Sequence, residues 1–455
     1  MKKDKTIDMT KGSIWRHIIM FSIPMIIGNV FQQLYNMADT IIVGRTLGMN
    51  ALAAVGACGS LVFLIIGFAS GLTNGFVIMT SQRFGAGDLK GVRRSVGTGG
   101  IISIVFAALL TTVCVLGSRW ILEIMNTPAE IMKDAYEYLV VICWGIPATM
   151  LYNYLSSIMR ALGNSKTPLI FLLIASVLNI VLDFVCILVF KMGAMGAAVA
   201  TVVSQGISGI LCLLYIVKFF PTLHLQKEDW KLERGFTWAH LRLGIPMGTQ
   251  MAVIASGAIA VQASLNGFGT VVVAGFTASI RIEQLVSQIM LSLGMTLATF
   301  VGQNYGARNL ARIKKGVSIT CILMAVLAVV GATLIIVFGR YLTLIFIDAN
   351  EKNVEDVIRY ACDFMTVTAC FLPALGSIFI FRNTLQGIGQ TGIVLAGSLV
   401  ELGIRLACAF LLAVPFGYMG VAFAGPLAWL GAAVMLVFAF LFAARRLNRE
   451  MTVME

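Results

Sequence analysis

Apolar residues fall in long, nearly unbroken runs separated by short polar stretches. Twelve such runs span residues of about 14–43, 51–80, 95–117, 131–158, 168–190, 194–217, 243–266, 271–300, 316–338, 357–381, 391–413 and 418–443. About 20 apolar residues in a helix cross one bilayer core, so each run is long enough to span. The ten-residue alternating segments of a membrane β-barrel are absent. The pattern predicts an all-α polytopic membrane protein with twelve transmembrane helices. Pro24, Pro147, Pro246 and Pro373 fall inside runs, where proline kinks a helix and neighbours satisfy the freed carbonyl.

The second half repeats the first. Ser22-Ile23-Pro24-Met25 returns as Gly244-Ile245-Pro246-Met247, and Gln82-Arg83-Phe84-Gly85-Ala86 as Gln303-Asn304-Tyr305-Gly306-Ala307. Ala161-Leu162-Gly163-Asn164 pairs with Gly387-Ile388-Gly389-Gln390, and Gly193-Ala194-Met195-Gly196 with Gly417-Tyr418-Met419-Gly420. All offsets lie between 221 and 226, in order along the chain. Each copy holds six spans, an even number, so both copies share one orientation. The expectation is two six-helix lobes, 1–225 and 226–455, related by a pseudo-twofold along the membrane normal. The polar stretch 218–242 links them.

Composition sharpens the picture. Of 455 residues, 59% are apolar and only 12% charged, against about 25% charged in a soluble domain. An ordinary soluble enzyme is excluded. The net charge of +12 is mostly a topology signal. Numbering the loops alternately puts 24 Lys and Arg on the side of the N-terminus and 7 on the other, Lys2, Lys3, Lys5 and Arg382 among the former and Lys352 among the latter. The positive-inside rule then places both termini in the cytoplasm, in a plasma (inner) membrane. A nucleic-acid surface is the weaker reading of the charge. The nine Cys stand alone in apolar runs without a CxxC, and the three His form no cluster, so neither disulfides nor a metal centre is expected.

Ionisable residues within spans are few: Asp39, Asp183, Arg281, Glu283, Glu401, Arg405 and Asp363. Each costs roughly 2.5–3.5 kcal/mol at mid-helix on insertion scales unless paired or solvated, so each needs a reason. Gln32, Tyr35, Asn36 and Asp39 recur at helical spacing and share one face. Asn179 and Asp183 are i,i+4 and also share a face. Arg281, Gln284, Gln288 and Ser292 form a polar stripe that suits a cavity wall. Glu401 and Arg405, also i,i+4, can neutralise each other. Asp363 is expected at the interface. A carboxyl group in a low-dielectric cavity can take up a proton, and two carboxylates with amide and hydroxyl oxygens can hold a hard cation such as sodium. The 23 Met and 28 Phe can line an adaptable apolar cavity, though most are expected to face lipid or neighbouring helices.

The chain resembles the multidrug and toxic compound extrusion (MATE) family. The resemblance rests on Phe21-Ser22-Ile23-Pro24-Met25, on Tyr35-Asn36-Met37-Ala38-Asp39-Thr40, on Gly44, Leu47-Gly48 and Ala51-Leu52-Ala53-Ala54, and on the Gln82–Gly85 segment. Asp39 with Asn179 and Asp183 looks like the DinF branch. The NorM branch carries acids in its seventh and tenth spans, where this chain reads Val253-Ile254 and Leu375. The resemblance implies a cation-coupling centre at Asp39, Asn179, Asp183 and Thr201, with possible sodium at the first three. It also implies a substrate cavity touched by Gln32, Tyr35, Asn36, Arg281, Gln284 and Gln288.

The function implied is secondary antiport: export of amphipathic, often cationic organic compounds (drugs, toxins or metabolites) in exchange for H⁺ or Na⁺. The expected partners are those small molecules and the lipid bilayer, with no nucleic acid, no cofactor beyond the coupling ion, and a monomeric state. No P-loop exists to harness a nucleotide. A flippase for a lipid-linked saccharide is the alternative within transport, and a strongly cationic cavity would favour it. A membrane-embedded lipid-modifying enzyme is the alternative of another class. It needs a convergent acid–base or metal cluster, and no such motif is visible, so no enzymatic activity is expected.

Overall fold

The computed structural model describes residues 6–347 and 353–452. Lys2, Lys3, Lys5 and Lys352, used in the charge count, lie outside the described residues. Among the described residues the regular structure is all helical, as the hydropathy predicts, with long helices α1 (Ile14–Leu47), α2 (Met49–Gly85) and α3 (Leu89–Ile124). A broken pair follows, α4 (Ala129–Trp144) and α5 (Ile146–Ala161), then α6 (Lys166–Phe184) and α7 (Ala194–Phe219). The second half holds α8 (Arg234–Leu265), α9 (Thr270–Gly306), α10 (Leu310–Leu344), α11 (Val354–Ile388), α12 (Thr391–Leu411), the short α13 (Ala413–Phe416) and α14 (Tyr418–Thr452). Among the described residues eleven helices are long and apolar enough to cross a membrane, or twelve when the bent α4–α5 pair is counted as one span.

That pair bends by 43° at Gly145. Pro147 sits in the first turn of α5, where its missing N–H is tolerated. A Cβ at Gly145 would lie 2.2 Å from Val202 Cγ2, so α7 occupies the space a side chain would need. Pro24, Pro246 and Pro373 instead stay within continuous helices.

The chain divides into two compact units. The first comprises the residues up to Lys11 together with Ile23–Ala252, and the second comprises Gly12–Ser22 and the residues from Val253 on. The division falls one residue before Pro24 in α1 and six residues after Pro246 in α8.

In the first unit, α2 meets the start of α8 backbone to backbone. Cβ atoms built at Gly71 and Gly75 would lie 2.4 Å from Met247 O and 2.5 Å from Gly244 Cα. Small residues are what allow helices to approach so closely in a membrane, where burial of apolar surface gives little drive. Leu72, Phe76, Tyr154 and Ile158 pack beside this seam, and Tyr154 Oη donates to Val96 O at 2.7 Å.

The linker is docked rather than loose. Arg93 Nε lies 3.4 Å from Asp229 Oδ2, and Arg94 pairs with Glu233. Gln226 N donates to Asp229 Oδ2 at 2.8 Å. A Cβ at Gly97 would lie 2.3 Å from Asp229 O, so the linker backbone rests directly on α3. His240 is fully buried, its ring nitrogens 2.9 Å from Ser95 Oγ and Phe236 O. The N-terminal segment is also held, with Ile7 N donating to Leu162 O at 3.0 Å.

In the second unit, the counterpart of the glycine seam is polar. Ser22 Oγ lies 2.9 Å from Thr296 Oγ1, and both side chains are buried. Asp363 accepts from Tyr418 Oη at 2.6 Å. Arg382, placed in a polar loop by the charge count, lies inside α11 and is buried. Asn383 and Thr384 beside it are likewise buried in the helix, where Thr384 Oγ1 donates to Ile380 O at 2.7 Å.

Candidate functional site

Four helices of the first unit converge on the carboxyl groups. α1 brings Tyr35 and Asp39, one turn apart on one face, and α6 brings Asn179 and Asp183 by the same spacing. α7 contributes Thr201 and α4 contributes Tyr138. The carboxyl groups of Asp39 and Asp183 are neighbours in this cluster, close enough for the charge of one to act on the other. Asn179 Nδ2 donates to Thr201 Oγ1 at 3.3 Å.

Asp183 has no exposed surface, and Asn179 is 1% exposed. Both Asp183 oxygens, Asp39 Oδ1 and Asn179 Oδ1 are buried, and no donor among the described residues reaches them. Among the described residues no cationic side chain forms an ion pair with either aspartate. A cluster of buried oxygens without a positive partner among the described residues is chemically suited to a proton or a small hard cation. Among the described residues no group of three or more His, Cys, Asp and Glu side chains could hold a metal ion. Any metal cation here would therefore rest on two carboxylates plus amide and hydroxyl oxygens.

The backbone is unusual at the same point. Directly after Asp183–Phe184, α6 passes into a π-helical segment, Val185–Val189. Such turns are rare and recur at functional sites, because the extra residue re-aims the side chains on either side of it.

Of the cavity residues expected from sequence, Gln32 and Asn36 are exposed on α1, while Arg281, Gln284 and Gln288 lie on α9 in the second unit. Arg281 and Gln284 are exposed and Gln288 is half-buried. Sequence reasoning missed Tyr138, which is 8% exposed and close enough to Asp39, Asp183 and Tyr35 for their charges to act on its phenol. It also missed Arg382. Glu401 is not simply paired within its own helix: it accepts from Arg405 Nη2 at 2.7 Å through Oε1 and from Arg382 Nη2 at 2.8 Å through Oε2.

Twelve apolar spans in two six-helix lobes, with a buried acidic cluster in one, define a polytopic helical membrane protein of the transporter class. The MatE family pattern matches residues 24–185 and 246–419, and the chain belongs to that family. It is a transporter and not an enzyme. The chain is 30% identical over 408 residues to the "Probable multidrug resistance protein YpnP" of Bacillus subtilis (strain 168), with 87% of this chain and 88% of that protein covered. A MOP superfamily transporter from Pyrococcus furiosus Vc1 (DSM3638), described as having a binding pocket of reverse polarity, shares the fold with a TM-score of 0.91 at 23% identity, over 98% of this chain and 100% of that one. The outward-facing conformation of a multidrug resistance MATE family transporter of the MOP superfamily has a TM-score of 0.89 at 24% identity, with 99% of each chain covered.

Proposed function

We propose that the chain is a secondary antiporter that exports amphipathic, often cationic organic compounds in exchange for H⁺ or Na⁺. The observation that carries this reading is the Asp39–Asp183 pair, two neighbouring carboxyl groups with buried oxygens and no cationic partner among the described residues. A second supporting point is the name of the Bacillus relative, a probable multidrug resistance protein. In this reading Asp39, Asn179, Asp183 and Thr201 form the coupling centre, with Tyr35 and Tyr138 around it. Gln32, Asn36, Arg281, Gln284 and Gln288 meet cargo. Uptake of the ion removes the repulsion between the carboxylates and changes the packing of α1, with Pro24 as the bend. The acidic centre without an acid at Val253-Ile254 or Leu375 favours the DinF-like branch. The excess of Lys and Arg on one side favours a plasma-membrane protein with both termini cytoplasmic.

The test is export from proteoliposomes loaded with a fluorescent organic cation such as rhodamine 6G. A pH gradient and a sodium gradient are imposed separately. Export driven by one gradient in wild type and lost in Asp183→Asn is the expected result. Export indifferent to both gradients would reject the coupling centre, and failure to move any organic ion would reject the cargo class.

A further inference from the structure

We infer that Arg382 and Arg405, bridged by Glu401, form a binding site in the second unit for one small monovalent anion, the carboxylate of an organic acid. The site is separate from the acidic centre and goes beyond the antiport reading, which concerns the opposite charge. Its side chains come from two neighbouring helices, Arg382 from α11, and Glu401 and Arg405 from α12. Glu401 is the middle residue of α12, which runs from Thr391 to Leu411. The group therefore sits at the depth where charge costs most in a membrane span. Arg382 is 8% and Glu401 7% exposed.

The repeat supplies a contrast. α12 stands between Gly389 and Gly417 as α6 stands between Gly163 and Gly193, the matched turns of the two copies. In the first copy this helix carries Asn179 and, one turn on, Asp183; in the second it carries Glu401 and, one turn on, Arg405. One duplicated helix thus serves an acidic centre in one unit and a cationic one in the other.

Charge counting sets the ligand. Glu401 divides its oxygens between the arginines, Oε1 accepting from Arg405 Nη2 at 2.7 Å and Oε2 from Arg382 Nη2 at 2.8 Å. A guanidinium does not give up its proton in a protein, so the three groups together carry one net positive charge. The Nε of each arginine is buried and meets no acceptor among the described residues. The other described acids in the spans of this unit are engaged elsewhere. Asp363 accepts from the Tyr418 hydroxyl, and Glu283 accepts from the Ser287 hydroxyl and forms no ion pair with either arginine. Glu355 and Asp356, at the start of α11, pair with Arg340 and Arg359. One added negative charge balances the group, and two would overshoot. A carboxylate suits it better than a halide, because two oxygens in a plane match the fork of a guanidinium. The neighbouring α8 presents a glycine here: a Cβ at Gly257 would lie 3.3 Å from both Cδ and Nη1 of Arg405, so a larger residue would crowd the guanidinium.

The experiment is equilibrium dialysis of the purified full chain in detergent against radiolabelled benzoate, with ionic strength held constant by sulfate. The expected result is saturable binding of one benzoate per chain, displaced by acetate, less readily by chloride, and not by sulfate. Arg382→Gln and Arg405→Gln each leave a neutral Arg–Glu pair, so the fold should survive, as a size-exclusion profile will show. Benzoate affinity should fall about tenfold or more in each, the loss of one charge-assisted hydrogen bond. Glu401→Gln raises the net charge of the group by one, and sulfate should then compete. Absence of saturable binding in wild type, or unchanged affinity in both folded arginine variants, would overturn the site. Displacement by chloride more readily than by acetate would overturn the carboxylate assignment. Binding that appears only in Glu283→Gln would also overturn it, since Glu283 would then be the balancing charge. The antiport reading is judged separately, by ion-driven dye export, and benzoate binding stands or falls without it.

Discussion

At the scale of single residues, the first-unit centre makes two predictions. Asp183→Asn keeps the shape of the side chain and lets its amide donate into a cluster short of donors, so folding should survive. Ion-driven export should fall to the level of empty liposomes, measured on protein that remains monodisperse. Asp39→Asn mimics the uncharged state of its carboxyl group. If the proton is the coupling ion, wild-type dye binding should weaken as pH falls and the variant should bind weakly at every pH; a pH titration of binding with and without sodium reads this out. Asp39 and Asp183 could be found in the sequence because a carboxylate within an apolar run is rare and costly. Tyr138 could not, since tyrosines near the end of a span usually mark the membrane interface, and Tyr136 and Glu137 beside it strengthen that reading. Arg382 was hidden because the apolar run ends at 381, whereas α11 continues to Ile388 with Asn383, Thr384 and Gln386 buried in it.

At the scale of elements, one joint is built in two chemistries. Gly75 against Gly244 in the first unit and Thr296 against Ser22 in the second are the same repeat positions, with offsets of 221 and 222. Gly75→Ala would press a methyl group into the α8 backbone and should cost about 1–3 kcal/mol, as overpacking does. Ser22→Ala loses a buried hydrogen bond and should cost about 0.5–1.5 kcal/mol. Thermal unfolding in detergent should rank the two in that order. Gly163 is constrained twice: its φ is +86°, and a Cβ there would lie 2.2 Å from Ile7 O. Gly163→Ala should therefore lower the unfolding temperature and free the segment around Ile7 to limited proteolysis. The spans themselves were legible from hydropathy in number and order, but several helices run six to nine residues past the apolar runs, as α8 does at its start and α14 at its end. The break at Gly145 and the π-helical segment after Asp183 were not, because both depend on how neighbouring helices pack rather than on local composition.

At the scale of the whole molecule, the basic asymmetry predicts sidedness. A cysteine introduced at exposed Lys231 should be shielded from an impermeant thiol reagent added to intact cells, and one at exposed Glu130 should be labelled, each read against the native-cysteine background. The reverse pattern would invert the topology. The repeat was plain in the sequence, but its partition was not: the start of α1 belongs with the second unit and the start of α8 with the first. A chain cut in the linker near Lys231 would leave each half without a piece of its own unit. Co-expressed halves should rebuild a functional protein, and neither half should accumulate alone. The same exchange bears on ancestry. A six-helix forebear that lent out its opening segment in this way could complete its own fold only by taking the same segment from a second copy. Such an ancestor would have been an obligate swapped dimer, and gene duplication with fusion would have turned a trade between molecules into one within a single chain.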